Sequence, residues 1–425
     1  MLDRSMAPAF RQVGKLQLPK NIHQKVLSCG IPLTEVNLGT QDVVRLEVVF
    51  TVGRAQERKK LAARSCLSMM REGTPSRTSA EIAETLDFYG ATLGTSFNLD
   101  HSSFVLYSLT KHFDKVLPIL ADILAHPVFP EKELNTLVKR SKKRLKIDLT
   151  KNDVVAYRTI TELIFGTQHP YGYNSFPEMY DALTRDDLME HYERLFHAGN
   201  CQVFLSGKIT DDLFSLIDDA LSQAIRPGLK VEQPLIVHSE EAPGKRKIVL
   251  EDKSQTAIRI GRQLFNRHHA DYLNMNVLNT LFGGYFGSRL MGNIREEKGY
   301  TYNIYSTLDP MLLDGCWYIG TEVGNEFVND TLKQIYHEMA VIREELVDAE
   351  ELEMVKNYMI GGYLTMLDGS FNVSDVVKVQ ILDNLPMTYF EEMVEHTRNV
   401  TPEELRETAQ KYFLEEDMWE VVVGI

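Results

Sequence analysis

The strongest constraint on the fold is an order of predicted elements that occurs twice in the 425 residues. In the first half, apolar periodicity predicts a strand over 43–52, helices over 61–70 and 80–88, strands over 91–98 and 102–108, and helices over 115–125 and 132–149. The second half repeats this order with a strand over 257–264, helices over 272–282 and 288–298, strands over 300–308 and 315–323, and helices from Val328 and Asp348. We therefore expect two structurally equivalent halves.

A segment rich in proline, glycine and charge separates the two copies. It spans 226–247 and has the composition of an interdomain linker. We predict an N-terminal domain over 1–225 and a C-terminal domain over 248–425. Helices that alternate irregularly with paired strands predict an α+β fold, in which each half is a mostly antiparallel β-sheet packed with α-helices.

Composition and charge exclude several classes of function. The 46 Lys and Arg against 60 Asp and Glu give a net charge of −14, so nucleic acid and anionic membranes are poor partners. No run reaches the roughly 18 apolar residues of a membrane span, and the N-terminus lacks the apolar segment of a secretion signal. We expect a cytoplasmic protein. Four cysteines without a C-x-x-C spacing predict buried thiols, not a disulfide framework or a cysteine zinc site.

The stretch 283–302 contains the main candidates for functional residues. A Gly283-Gly284 turn precedes a short helix that ends at Gly299, and the next strand is predicted to begin near Tyr300. Arg295 and Tyr302 are then carried by two rigid elements. A guanidinium fork and a phenolic hydroxyl can together hold a carbonyl or carboxylate, although a solvated arginine and a packed tyrosine would produce the same spacing. The glycines do not match a phosphate-binding loop.

The whole stretch resembles the C-terminal signature of the inverzincin peptidases, the family of pitrilysin, insulin-degrading enzyme and mitochondrial processing peptidase. That signature is a glycine-rich turn, then Ser-Arg-Leu, Arg-Glu-Lys-Gly and Tyr-Ser/Asn-x-Tyr in that order, and the corresponding residues here begin at Gly283 and end with Tyr302-Asn303-Ile304-Tyr305. The resemblance extends to the first half through His169-Pro170-Tyr171-Gly172. It implies that Arg295 and Tyr302 bind substrate beside a zinc ion, and that His169 is a hydrogen-bonding loop residue.

The zinc ligands of that family are missing from the places where the resemblance puts them. The H-x-x-E-H motif lies shortly before a Gly-Thr, which here aligns it with Arg64-Ser65-Cys66-Leu67-Ser68. Arg64 and Ser68 thus replace the two histidines and Leu67 replaces the general base. The acidic third ligand falls near Leu145, within a basic run over 139–146 that opposes a cation. That run is either a solvated helix face or a site for an anionic partner.

The resemblance therefore implies a chain with no catalytic residue and no metal of its own. It resembles the non-catalytic subunit of two-chain members, in which a homologous H-x-x-E-H partner brings the zinc and both chains enclose an unfolded peptide. Two alternatives stay open: a scaffold subunit without a role in peptide cleavage, and a zinc peptidase with unconventional ligands. Among the twelve histidines no pair is spaced three or four residues apart, so a rebuilt zinc site would need scattered residues. Whether the isolated chain pairs with itself is also open.

Overall fold

The computed structural model describes residues 14–239, 241–251 and 254–424. Residues 1–13, 240, 252–253 and 425, which belong to the predicted domains and linker, lie outside the described residues. The N-terminal residues from which a secretion signal was judged absent are among them. The strands are β1 Ile22–Val26, β2 Pro32–Asn37, β3 Val43–Phe50, β4 Thr92–Phe97, β5 Ser102–Leu109, β6 Cys201–Gly207, β7 Lys245–Val249, β8 Gln255–Leu264, β9 Ile304–Pro310, β10 Gly315–Gly324 and β11 Trp419–Gly424.

Helices alternate with these strands in both halves. They are α1 Ala62–Met69, α2 Ser79–Phe88, α3 Phe113–Ala125, α4 Glu131–Asp148, α5 Asn152–Phe165, α6 Pro177–Asp181, α7 Arg185–Leu195, α8 Leu213–Ala224, α9 Tyr272–Asn279, α10 Val328–Glu344, α11 Ala349–Met366, α12 Gly369–Leu382, α13 Tyr389–Asn399 and α14 Pro402–Tyr412. Two wider π-helical segments, Thr280–Gly284 and Met291–Glu297, occur in the second half. None of the helices in the described ranges is long and apolar enough to cross a membrane.

The two sheets have the same strand order. The first runs β1-β2-β6-β3-β5-β4 and the second β7-β11-β8-β10-β9, which is the first without its outermost strand β1. In each sheet one pair is parallel, β2 with β6 and β7 with β11, and the equivalent remaining pairs are antiparallel. Gly90 and Gly299 precede equivalent strands with positive φ of 63° and 68°, a conformation that glycine adopts without strain. The predicted α+β fold with two equivalent halves is confirmed.

Each half provides one helix that packs on the sheet of the other half. Helix α5 of the first half packs on β8 and β11, where Ala156, Ile160 and Ile164 meet Val421 and Val423 in one buried cluster. Helix α12 of the second half packs on β2 and β6 of the first sheet. Because an apolar sheet face must be covered, this exchange makes each half a structural requirement of the other.

Helix α12 also brings charge to the first sheet. Arg45 on β3 bonds Asp375, and Lys378 bonds Glu47 at 2.9 Å and Asp375 at 3.0 Å. The side chains of Arg45 and Glu47 are only 6% and 5% exposed. A buried carboxylate needs such a partner because its desolvation is otherwise uncompensated.

Away from this interface, each half has its own core. In the second half Trp317 stacks on Phe413 with ring centroids 4.6 Å apart, and its indole N–H donates to Asn279 Oδ1 at 2.8 Å. Leu16 joins this second core although it precedes β1. Leu16, although part of the predicted domain 1–225, therefore packs against the second half.

Three local predictions differ from the structure. Helix α2 begins at Ser79, one residue before the predicted 80–88, because Glu81 lies three residues after Thr78 and completes a capping box with it. Strand β9 begins at Ile304, so Tyr302 lies in the loop before the strand and not early within it. Strand β7 begins at Lys245, inside the segment 226–247 that was predicted to be linker.

We expect Lys378→Ala to lower the free energy of unfolding by about 3 kcal/mol, because it leaves the Glu47 carboxylate buried without its cation. Urea-induced unfolding measures this loss. The control is Lys208→Ala, which breaks the exposed pair with Asp42 and should cost less than about 1 kcal/mol. Equal small losses in both variants would show that α12 does not depend on this charge pair.

The buried His191 of α7 should make the protein sensitive to acid. Burial lowers its pKa to about 3, and neither ring nitrogen has a hydrogen-bond partner among the described residues. The unfolded chain, with a pKa near 6.5, binds the proton first, so this part of the stability is complete above pH 6.5 and is lost as pH falls toward 3. Between pH 7 and pH 5 the wild type should lose roughly 2 kcal/mol more unfolding free energy than His191→Leu.

Urea unfolding at the two pH values tests this prediction. The exposed His23 of β1 offers the control, since His23→Leu should keep the wild-type pH dependence. A His191→Leu variant that loses as much stability as the wild type would contradict the assignment.

Candidate functional site

The glycine-rich turn before Arg295 is fixed by close packing. A side chain at Gly283 would lie 2.6 Å from the backbone nitrogen of Ser306 on β9, so the turn can approach this strand only without a Cβ. The π-helical segment that follows buries Ile294 completely, as Leu290 just before it is buried. The two residues are four apart in the sequence, a spacing that predicts a shared helical face. Arg295 therefore stands on a segment anchored in the second core.

Arg295 has its donor groups free. Its guanidinium lies over the ring of Phe286 at 4.5 Å from the centroid, a cation–π contact, and within the described part of the chain it makes no hydrogen bond or ion pair. Arg289, two residues before this segment, is by contrast neutralised by two bonds to Glu351 of 2.7 and 2.8 Å. Arg295 is thus held in position by an aromatic face while its N–H groups remain available to a ligand.

Tyr302 is 91% exposed on a loop that is itself well fixed. Thr301 donates its hydroxyl to the Glu322 carbonyl at 2.7 Å, and Thr321 donates to Thr301 Oγ1 at 3.1 Å. These bonds to β10 hold the backbone just before Tyr302, where Tyr300 also stacks on Phe327 with centroids 4.5 Å apart. Just after Tyr302, the Asn303 carbonyl lies 3.0 Å from Thr321 Oγ1. A phenol on a fixed backbone with a free side chain is suited to donate a hydrogen bond to a bound molecule.

The loop is tied directly to the segment that carries Arg295. The backbone N–H groups of Gly299 and Tyr300 donate to the carbonyls of Arg295 and Ile294 at 3.2 and 3.1 Å. The two predicted residues therefore belong to one anchored unit. They make no hydrogen bond with each other, so a ligand would have to join them.

Sequence reasoning missed the aromatic surface beside this pair. Phe286 is 62% exposed, and the Tyr285 ring lies 4.7 Å from Tyr358 of α11. Met354, one turn earlier on α11, is also exposed. An exposed Phe inside a glycine-rich turn was the available signal, since large apolar side chains at such turns are usually buried or used for binding.

The positions that would hold zinc do not fit a metal ion. Leu67 of α1 is 1% exposed within the first core, and the Ser68 hydroxyl donates to the Arg64 carbonyl at 3.0 Å. Arg64 is an exposed cation and Leu145 is a buried apolar residue on α4. None of these four side chains offers the imidazole or carboxylate that zinc requires.

The basic face of α4 is partly ion-paired. Lys142 bonds Asp181 and Arg144 bonds Asp148, both on the protein surface. These bonds are those expected of a solvated helix face for the two cations.

His169, which the resemblance placed in a hydrogen-bonding loop, accepts a hydrogen bond at Nδ1 from the Tyr171 N–H at 3.0 Å.

Comparisons with known proteins agree with the motifs. The family described as Insulinase, peptidase family M16, matches residues 35–162, and the Peptidase M16 inactive domain matches residues 182–359. An uncharacterized zinc protease YmxG of Bacillus subtilis is 22% identical, over 71% of this chain and 73% of that protein. A non-peptidase homolog YmxG of Helicobacter pylori is also 22% identical, with 81% of each chain covered.

The fold is similar to that of a solved protein. The peptidase M16 inactive domain from Pseudomonas fluorescens superposes with a TM-score of 0.88 at 22% identity, and the match covers 95% of this chain and 98% of that one. One family match lies within the first half and the other begins at residue 182 and continues across the linker into the second half, and both sheets carry the repeated strand order. The chain belongs to peptidase family M16.

Proposed function

We propose that this chain is the non-catalytic, substrate-binding subunit of a heterodimeric zinc metallopeptidase that cleaves unfolded peptides. The observation that carries the proposal is the contrast within one molecule. Arg295 and Tyr302 are anchored by their backbones with free donor groups, while the positions of the zinc motif hold a core leucine, a serine and an exposed arginine. A homologous H-x-x-E-H chain would supply the zinc and the general base.

In this role the pair acts on the peptide backbone. Tyr302 donates its hydroxyl to the scissile carbonyl as negative charge develops on the oxygen, which is stabilisation of the oxyanion-hole type. Arg295 directs its planar fork at a neighbouring carbonyl or carboxylate. Phe286 positions the guanidinium from below, so that fewer side-chain conformations are lost when a peptide binds.

The name non-peptidase homolog, given to the Helicobacter pylori relative, supports a chain that does not cleave on its own. The ligands of the catalytic zinc would then come only from the partner, and the protein would work in the cytoplasm with no membrane or nucleic acid involved. A scaffold subunit would need neither Arg295 nor Tyr302. Variants of Tyr302 and Arg295 distinguish a substrate-binding subunit from a scaffold.

Tyr302→Phe should lower kcat of the complex with an H-x-x-E-H chain of this family by about 10²–10³-fold, the loss that follows removal of one oxyanion donor. The complex should stay assembled, because the Tyr302 side chain is almost fully exposed. The measurement is steady-state hydrolysis of a fluorogenic peptide, with gel filtration to verify assembly.

Tyr157→Phe is the matched control, since it removes a half-exposed hydroxyl from α5 in the first half and should leave kcat unchanged. Unchanged kcat in Tyr302→Phe would exclude the oxyanion role and favour a scaffold.

Arg295→Ala should weaken binding of fluorescein-labelled oxidised insulin B chain, an unfolded peptide, by about tenfold or more, as expected for loss of a charge-assisted hydrogen bond. Fluorescence anisotropy of the labelled peptide gives the Kd without any need for cleavage.

Arg58→Ala removes an exposed arginine that is paired with Glu190 and serves as the control for lost positive charge. If Arg58→Ala and Arg295→Ala weaken binding equally, the effect is one of net charge and the specific role of Arg295 is wrong.

A further inference from the structure

Three potential metal ligands meet where the two halves and the linker come together. His169 belongs to the loop after α5, His238 to the segment before β7, and Asp314 to the turn between β9 and β10. Their ligand atoms, His169 Nε2, His238 Nδ1 and one Asp314 oxygen, all lie within 4.8 Å of one another. They come from three separate parts of the chain, so no local spacing motif marks them.

The distances match those around a small tetrahedral ion. His169 Nε2 lies 3.4 Å and His238 Nδ1 lies 3.3 Å from Asp314 Oδ2. Two metal bonds of about 2.0–2.1 Å at the tetrahedral angle place their ligand atoms about 3.3–3.4 Å apart. Two edges of the ligand polyhedron are therefore already formed.

The buried ring nitrogen of His169 points to a ligand. The side chain is 0% exposed, and Nε2 has no hydrogen-bond partner among the described residues. A buried polar atom without a partner is unfavourable, and such atoms are uncommon unless something else satisfies them. The ring is fixed by stacking on Phe165 with centroids 5.0 Å apart.

Surrounding groups orient Asp314 as a ligand. Its Oδ1 accepts the Gly315 N–H at 2.8 Å, which leaves Oδ2 directed at the two histidines. Gln263 Nε2 lies 2.7 Å from this Oδ2 and 2.8 Å from His238 Nδ1. A half rotation of the Gln263 amide would place its oxygen there instead, so the same side chain can provide a fourth ligand.

We propose that His169, His238 and Asp314 bind one divalent transition-metal ion of the zinc class, with Gln263 or water as the fourth ligand. Two imidazoles and one carboxylate are a usual ligand set for such ions. The ion joins a loop of the first half, the linker and a turn of the second half. Its effect is to fix the linker across the interface between the halves.

Binding shifts the ring proton of His169. Because Nδ1 accepts the Tyr171 N–H, the single proton of the neutral ring lies on Nε2. A metal ion at Nε2 needs a neutral imidazole, so this proton moves to Nδ1 and the hydrogen bond from the Tyr171 N–H is lost. His238 binds through Nδ1 and keeps its proton on Nε2, since that side chain is half exposed. The site shares no residue with Arg295 and Tyr302, so the proposed metal binding is tested independently of the proposed peptide binding.

The test is zinc binding by the full chain, measured as competition with a chromophoric chelator and as retained zinc after desalting. We expect one ion per chain and a raised Tm in the presence of zinc. His238→Ala changes a half-exposed side chain and should fold, yet lower the zinc affinity by at least about tenfold, since even loss of a second-shell group has that effect. Asp314→Asn should do the same.

The control is His23→Ala, which removes an exposed histidine of β1 outside the cluster. It should leave both the stoichiometry and the affinity unchanged. Bound Co²⁺ gives a second readout, because its visible absorption reports tetrahedral geometry and should disappear in His238→Ala. Zinc retained at well below one ion per chain, or an affinity that His238→Ala does not change, would overturn the proposal.

Discussion

The structure depends on the exchange of one helix between its two halves. A sheet with an apolar face cannot remain in water, and here the face of each sheet is covered by a helix that the chain supplies from the opposite copy. Helix α12 adds buried charge to this packing through Lys378 and Glu47. The halves therefore form one interdependent unit.

Patterns within a few residues of one another predicted most of the elements. The repeated order, the shared face of Leu290 and Ile294, and the positions of Gly90 and Gly299 all depend on local spacing. The Thr78 cap could have been found from Glu81 three residues later. The start of β9 could not, because Thr301 is held outside the strand by hydroxyl bonds to residues of β10, about twenty positions away.

Long-range packing also determines which features of the candidate site could be predicted from the sequence. Spacing and family resemblance identified Arg295 and Tyr302, but they could not reveal that one is held by Phe286 and that the other is almost fully exposed. The exchange of α5 and α12 has no local signal, since amphipathic helices pack equally well on either sheet. For the same reason His169 and His238, 69 positions apart, could be placed together only by the fold.

The reciprocal exchange has a consequence for the origin of such a chain. A protein with only one half would expose an apolar sheet face and carry a surplus helix that fits the same face of a second copy. Two copies would then satisfy each other about a twofold axis, as in domain swapping. The present chain corresponds to such a pair joined by the segment that precedes β7. Once joined, the two copies no longer had to stay identical, and each could take different residues at equivalent positions.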